Sequence, residues 1–287
     1  MMLFMMLIAI LFCLTLQRFA NIGGWFQASW FELYLKNLHP WTSRLNEWVA
    51  ILLIIAPVLL LLVLLHLLFT WRLFGLFNLI LATVVLFFCI DARDFKNKLT
   101  DYFNNLEKGD TQASASAVTS LIGDVSSNTT AELNRAVTKA ILLNSFEQLF
   151  TGLFWFIIAG IYGVSVYFLI VLLSKNAVKV DSNYVELAKL AAKIQDILDW
   201  IPSRLVGFSY SLVGNFNKGF GYCHKNLWSG LTEVRKFAVD AGIATLDLDP
   251  DVAKATPKEN YAALDLINRV LIVWLIAFAL VLLGILI

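Results

Sequence analysis

Read along its length, the chain alternates long apolar runs with polar stretches whose apolar positions recur at helical spacing. Crossing a bilayer takes roughly 17 to 25 mostly apolar residues, because in hydrocarbon every backbone polar group must be bonded within its own helix. Four runs meet or approach that length, at about 1–19, 49–70, 73–90 and 270–287. Only Trp71 and Arg72 separate the second from the third, which predicts a tight hairpin with Phe69, Trp71 and Arg72 at the interface and Gly75 helping the turn. A fifth run, 149–173, is long enough to cross but carries Gly152, Gly160 and Gly163, which invite a break into two half-helices. If it turns back inside the membrane, Arg72 is the one basic residue on the outer side and the other Lys and Arg share a face. If it crosses once, the basic residues from Lys175 to Lys258 face away from Lys36, Arg44, Arg93, Lys96 and Lys98. The positive-inside rule favours the re-entrant arrangement; a single crossing stays open.

The segments between the runs read as helices too. Residues 20–48 hold Trp25, Trp30, Trp41 and Trp48 among Lys36, His39 and Arg44, a composition suited to a helix at headgroup level. A charged helix-like piece, DARDFKNKLTDYFNNLEKGD, is followed by the small and polar run TQASASAVTS. Thr129 with Glu132 three residues later is a capping-box signature, which predicts a helix over Ala131 to Leu143. SNYVELAKLAAKIQDILDW places Leu187, Leu190, Ala191, Ile194, Ile197 and Leu198 on one stripe, with Glu186, Lys189, Lys193 and Asp196 outside it. No β-rich block or internal repeat interrupts this pattern. The expected fold is all-α, a single integral membrane domain over 1–287. It has four transmembrane helices, one re-entrant or fifth transmembrane segment at 149–173, and a helical cytoplasmic cap built from 91–148 and 174–268.

Composition supports the membrane reading, with 59% apolar and 15% charged residues and a mean hydropathy of +0.74. The 22 Lys and Arg nearly balance the 21 Asp and Glu, so no large basic field exists to hold a nucleic-acid backbone, and none is expected as a partner. Cys13, Cys89 and Cys223 show neither C-x-x-C nor His-paired spacing, so no disulfide framework, metal or cofactor is expected. The first residues lack a basic stretch and a small-residue cleavage site, and read as an uncleaved anchor.

Candidate chemistry concentrates in ILDWIPSRLVG at 197–207. Pro202 lacks an N–H and disfavours helix at Ile201, which predicts one helix ending near Trp200 and another starting around Pro202. Arg204 then falls in a first turn whose unpaired N–H groups suit a phosphate or carboxylate, with Asp199 capping that turn or pairing with Arg204. The plainer alternative is an interfacial corner, Trp200 at the headgroups and Arg204 snorkelling to lipid phosphate. GNFNKGFG at 214–221 lacks the G-K-[ST] ending of a phosphate-cradling loop, and His66 has no acidic neighbour in sequence to relay a proton.

LFTGLFWFIIAG at 149–160, LDWIPSRLVGFSYSLVG at 198–214 and ATPKENYAALDLI before the last run resemble the AmpE family, membrane proteins associated with signalling for β-lactamase induction. That family is related to the CobD/CbiB cobalamin-biosynthesis synthases, which carry an Ala-Pro-Leu-Phe-Trp run and a Pro-x-Arg-Leu corner. The resemblance implies a multi-pass protein of the bacterial inner membrane with a role around cell-wall recycling and β-lactam response. The synthase pattern is broken at several points. Its Gly-Arg-Asp-Thr loop corresponds to GDVSSN at 123–128. Its acidic-Asn-x-x-Asp-Gly sequence corresponds to LNSFEQ at 143–148, where Asn144 matches, Leu143 replaces the acid, and Glu147 and Gln148 stand in place of Asp-Gly. Its Ser-Pro-Asn-Ala-Gly segment has no counterpart in 222–265. A leucine neither positions a metal nor moves a proton, so no catalytic residue is assigned. The expectation is a pocket without a reaction, lined by Asn144, Glu147, Asp199 and Arg204, taking a small anionic or amphiphilic ligand or a regulatory protein partner beside the lipid bilayer. The plain alternative makes Glu147 a helix-surface charge at the membrane boundary and Asn144 an ordinary interface residue. Two rival functions stay open, a diverged amide-forming synthase and a transporter, the latter resting on the glycine-bearing run alone.

Overall fold

The computed structural model describes residues 2–19, 29–42, 45–69, 76–90, 93–122, 129–248, 251–252 and 255–286, and among them all regular structure is helical. In chain order the elements are α1 (Met2–Phe19), α2 (Ser29–Thr42), α3 (Glu47–Phe69), α4 (Leu76–Cys89), α5 (Arg93–Glu107), α6 (Thr111–Ile122) and α7 (Thr130–Asn144). A π-helical turn, Ser145–Phe150, joins α7 to α8 (Thr151–Val180), followed by α9 (Val185–Val213), α10 (Phe216–Asn226), α11 (Val234–Leu246) and α12 (Pro257–Leu286). The predicted hairpin tip at 70–75, Trp25, Arg44 and the 123–128 stretch lie outside the described residues. The capping box is formed: the Thr129 hydroxyl accepts from the Glu132 N–H, and the Glu132 carboxylate accepts from the Thr129 N–H. The small and polar run TQASASAVTS carries α6. Three helical stretches, Glu47–Leu68, Thr130–Val180 and Pro257–Gly284, are long and apolar enough to cross a membrane, while Phe4–Gln17 and Leu76–Cys89 are apolar but shorter.

Within α8 the backbone breaks at Gly160, with φ 63° and ψ −150°, a region that favours glycine. In a straight helix eight residues rise about 12 Å. Here a Cβ placed on Gly163 would lie 2.6 Å from the Trp155 carbonyl oxygen and 2.5 Å from the Ala159 Cβ. The chain therefore folds sharply back at Gly160, and the missing side chain at Gly163 is what admits the close approach. Gly163→Ala is expected to destabilise the protein by about 1–3 kcal/mol, because the added methyl meets backbone that cannot yield. Gly152→Ala, which meets only the flexible end of Ile90, is expected to shift thermal unfolding in detergent far less. Equal shifts for the two variants would remove the fold-back as the cause.

The chain divides into two compact units. The first comprises residues 1–91 and 152–198. Its core joins Phe31 and Leu35 of α2, Ile51 and Ile54 of α3, Leu169 and Leu173 of α8, and Tyr184 and Leu187 at the start of α9. Tyr34 donates to the Ile54 carbonyl at 2.7 Å, and Gln17 donates to the Ile90 carbonyl at 3.1 Å. The predicted stripe of α9 lies largely inward, but Ile197 is exposed and Gln195 is buried instead. Gln195 tolerates that position because it accepts from the Ser174 hydroxyl at 2.7 Å.

The second unit comprises residues 92–151 and 199–287. Its core gathers Tyr102, Val118, Val137, Ile141, Phe146, Phe150, Val206, Tyr210, Leu266 and Val270. A buried polar seam ties α7 to the start of α12. Arg135 forms a two-pronged pair with Glu259 at 2.9 and 3.2 Å, and Thr138 donates to Asn260 at 2.7 Å. On α5, Tyr102 donates to Asn134 at 2.6 Å.

Contrary to the sequence expectation, α9 runs without interruption through Pro202. The reason is packing. Asp199, Pro202, Ser203, Val206 and Tyr210 are all buried and lie on one helical stripe that spans the proline. Keeping that stripe in register outweighs the local preference to end a helix there, which is worth about 3 kcal/mol. No helix start, and so no free turn of N–H groups, exists at Pro202.

Candidate functional site

Two buried carboxylates of the second unit converge on one cation where the π turn after α7, α9 and α11 meet. Along α7 the buried positions are Asn134, Arg135, Val137, Thr138, Ile141 and Leu142, and a continued α-helix would carry the stripe through 134, 138 and 141 to 145 and 149. The π turn inserts an extra residue, seen in the Thr151 N–H bonding the Phe146 carbonyl five residues back. Phe146, Glu147 and Phe150 turn inward as a result, and such turns recur at functional sites. On the facing helix Gly242 lets α11 approach α7, since a Cβ there would lie 2.9 Å from the Leu142 methyl groups. Two turns earlier on α11, Arg235 reaches Glu147 with Nε 2.8 Å from Oε1. Its Nη2 lies 3.9 Å from Oδ2 of the fully buried Asp199 on α9.

Glu147 and Asp199, both candidates from the sequence, are thus drawn to one guanidinium. Asn144 is half-buried at the end of α7, one turn before Glu147. Arg235 was not legible as a partner, because its pairing joins residues far apart in the chain. The one local sign is a charge beside the buried stripe Val234, Phe237, Ala238 and Ala241 of α11.

Arg204 does something different from what its position suggested. Its guanidinium bonds the Leu227 carbonyl at 3.2 Å, the Ser203 hydroxyl at 2.8 Å and the Trp200 carbonyl at 3.5 Å. Its last nitrogen bonds both the carbonyl and the hydroxyl of Ser229 at 2.9 Å. Those five bonds match the five N–H groups of an arginine. The plane is sandwiched between Trp200 at 4.7 Å and Phe237 at 4.6 Å. Burial pulls the guanidinium below its ordinary value, opposed by the nearby Tyr222. Arg204 is a clamp on the segment joining α10 to α11, with its donors engaged inside the protein.

Beside that clamp lies a polar cavity of about 190 Å³ lined by Tyr222, Asn226, Ser229, Glu233, Lys236 and Asp240. Burial first, and then the Asp240 carboxylate, push the Tyr222 phenol up. Among the described residues no three His, Cys, Asp or Glu side chains gather as a metal site requires.

The chemistry available to the Glu147, Asp199 and Arg235 cluster is charge exchange. Arg235 keeps a third of its side chain exposed while Glu147 is buried. An anionic group arriving from water meets the guanidinium first and competes with Glu147 for it.

The family profile described as "Regulatory signalling modulator protein AmpE" matches residues 5–287. The chain is 29% identical over 187 residues to the cobalamin biosynthesis protein CobD of Chromobacterium violaceum, covering 63% of this chain and 56% of that protein. It is 38% identical over 80 residues to the CobD protein of Stutzerimonas stutzeri, covering 28% of this chain and 26% of that protein. The chain thus spans little more than half of the first relative's length and about a quarter of the second's. No solved structure matches.

Proposed function

The chain belongs to the AmpE family, and from that premise we propose that it is a multi-pass, non-catalytic signalling modulator of the bacterial inner membrane, acting in β-lactamase induction and cell-wall recycling. In the topology that goes with this reading, four segments cross the bilayer and 149–173 is re-entrant, its turn at Gly160. Support for the re-entrant segment comes from the backbone reversal at that glycine. The ligand-responsive element is the cluster of Asn144, Glu147 and Asp199 with Arg235 as its cation. One observation carries this assignment: a partly exposed arginine on α11 holds a buried carboxylate on a π turn and faces a second on α9. Such an arrangement couples three helices through one cation that a small anionic ligand, or an acidic group on a partner protein, is able to reach.

The test is a β-lactam challenge of a host from which this gene has been deleted. Induced β-lactamase activity is expected to change on deletion, return with the wild-type chain, and fail to return with Glu147→Gln expressed at equal level in the membrane. Unchanged induction on deletion removes the signalling role. A second reading, a diverged amide-forming synthase, rests on the similarity to the CobD proteins. Purified protein given ATP, Mg²⁺ and amphiphilic carboxylic acids distinguishes the two: amide formation that Glu147→Ala abolishes favours the synthase.

A further inference from the structure

The second half of α9 reads poorly as a membrane segment because Asp199 and Arg204 interrupt it, yet both charges are buried inward. What the helix turns outward is Ile201, Leu205 and Leu212, and the exposed Phe216 and Phe220 of α10 lie beside them. Between 200 and 216 no charged side chain is exposed. The serine hydroxyls on this stretch are turned back onto their own helix. Ser203 donates to the Trp200 carbonyl at 2.8 Å, Ser209 to Leu205 at 2.7 Å and Ser211 to Gly207 at 3.0 Å. Hydrocarbon demands that kind of internal satisfaction, and water does not.

Register against α12 fixes where the ridge sits. Gly214 lies against Leu266, where a Cβ would be 3.5 Å from its methyl group, and Trp274 donates to the Ser209 hydroxyl at 2.9 Å. The two helices therefore run antiparallel, and α9 residues before Ser209 lie level with α12 residues beyond Trp274, inside its apolar span. There α12 presents Ile276 and Leu280 outward. α10 folds back beside α9, with Phe220 5.9 Å from Phe208 and Trp228 6.4 Å from Trp200, and along it the rings of Phe216, Phe220 and His224 stack in sequence. Lys225 and His224 are exposed there, and Trp228 is 84% exposed. Aromatic rings beside basic side chains are the composition of the headgroup layer.

We infer that the outward face of α9 is immersed in the bilayer, covered by phospholipid acyl chains at Ile201, Leu205 and Leu212, with the aromatic and basic side chains of α10 alongside it reaching the headgroups. The region from α9 to α11 is then a half-sunk platform: its α9 ridge contacts lipid, and its polar cavity between α10 and α11 opens to water. This places the Arg204 clamp and the carboxylate cluster just behind a lipid-facing wall.

Nitroxide labels on Leu205→Cys and Leu212→Cys in proteoliposomes test this, with Lys236→Cys on the cavity side as the aqueous reference. The three native cysteines are buried, so the introduced thiols take the label. The ratio of oxygen to nickel-chelate accessibility is expected to be severalfold higher at 205 and 212 than at 236. Nickel-chelate access at 205 and 212 equal to that at 236 overturns the inference, since the face is then in water. Exclusion of both reagents at both positions also overturns it, because a second copy or another protein then covers the ridge. All three substituted positions are exposed, so the variants are expected to fold, and agreement between 205 and 212 guards against a local disturbance at either.

Discussion

Arg235→Ala is expected to lower the stability of the detergent-solubilised protein by about 3–5 kcal/mol, the range for breaking a buried ion pair from one side. The size follows from what the substitution leaves behind. Glu147 is 7% exposed and Asp199 is fully buried, so the substitution takes a cation away from carboxylates that water cannot reach. The reverse truncation is milder. Glu147→Gln keeps an acceptor near Arg235, and the arginine, a third exposed, is able to turn to solvent; a loss of about 1–2 kcal/mol is expected. Arg235→Met with Glu147→Leu recovers only part of the loss, because Asp199 still faces the vacated position. Thermal or denaturant unfolding of the four proteins reads this ordering directly. If Arg235→Ala is as mild as Lys236→Ala, a surface change expected within about 0.5 kcal/mol, the cluster does not hold the three helices together.

The features legible in the sequence are those set by short spacings. Thr129 and Glu132 announce a helix start because both halves of the capping box lie within one turn. The glycines of 149–173 announce a break, and Gly160 makes it. Glu147 and Asp199 were reachable, the first through the family pattern at 143–148 and the second through the Pro202 corner. What failed was reading that corner as a helix start, since the stripe from Asp199 to Tyr210 is buried by residues far away in sequence and overrides the local rule for proline. The π turn at 145–150 has no spacing signature; it exists because Phe146 and Phe150 both enter the core, and Glu147 is carried inward with them. Arg235 was missed for a related reason. An ion pair between residues 147 and 235 leaves no periodic trace, and only the fold supplies the Gly242 contact that brings α11 close enough.

Arg204→Lys separates a structural arginine from a ligand-binding one. If the side chain awaited an anion, lysine would keep the charge, the protein would stay as stable as the wild type, and only anion affinity would change. The geometry forecasts the opposite. Lysine has three donors and no plane, so it cannot serve Trp200, Ser203, Leu227 and Ser229 together or fill the slot between Trp200 and Phe237. Hydrogen bonds to a charged group are worth about 1.5–3 kcal/mol each and are not additive, so an expected loss of about 2–4 kcal/mol for Arg204→Lys amounts to losing one or two of them. Arg204→Ala is expected to lose more, because five acceptor atoms and two ring faces lose their partner at once. The segment from Leu227 to Ser229 is then held only by its own ends, and limited proteolysis is expected to cut there in both variants before it cuts in the wild type. Since Phe237 lies two residues beyond Arg235 on α11, a loosened clamp also lets the start of that helix drift from Glu147. The Lys variant is therefore expected to weaken the carboxylate cluster without touching it, and a double-mutant cycle between Arg204→Lys and Glu147→Gln is expected to show a coupling of about 0.5 kcal/mol or more.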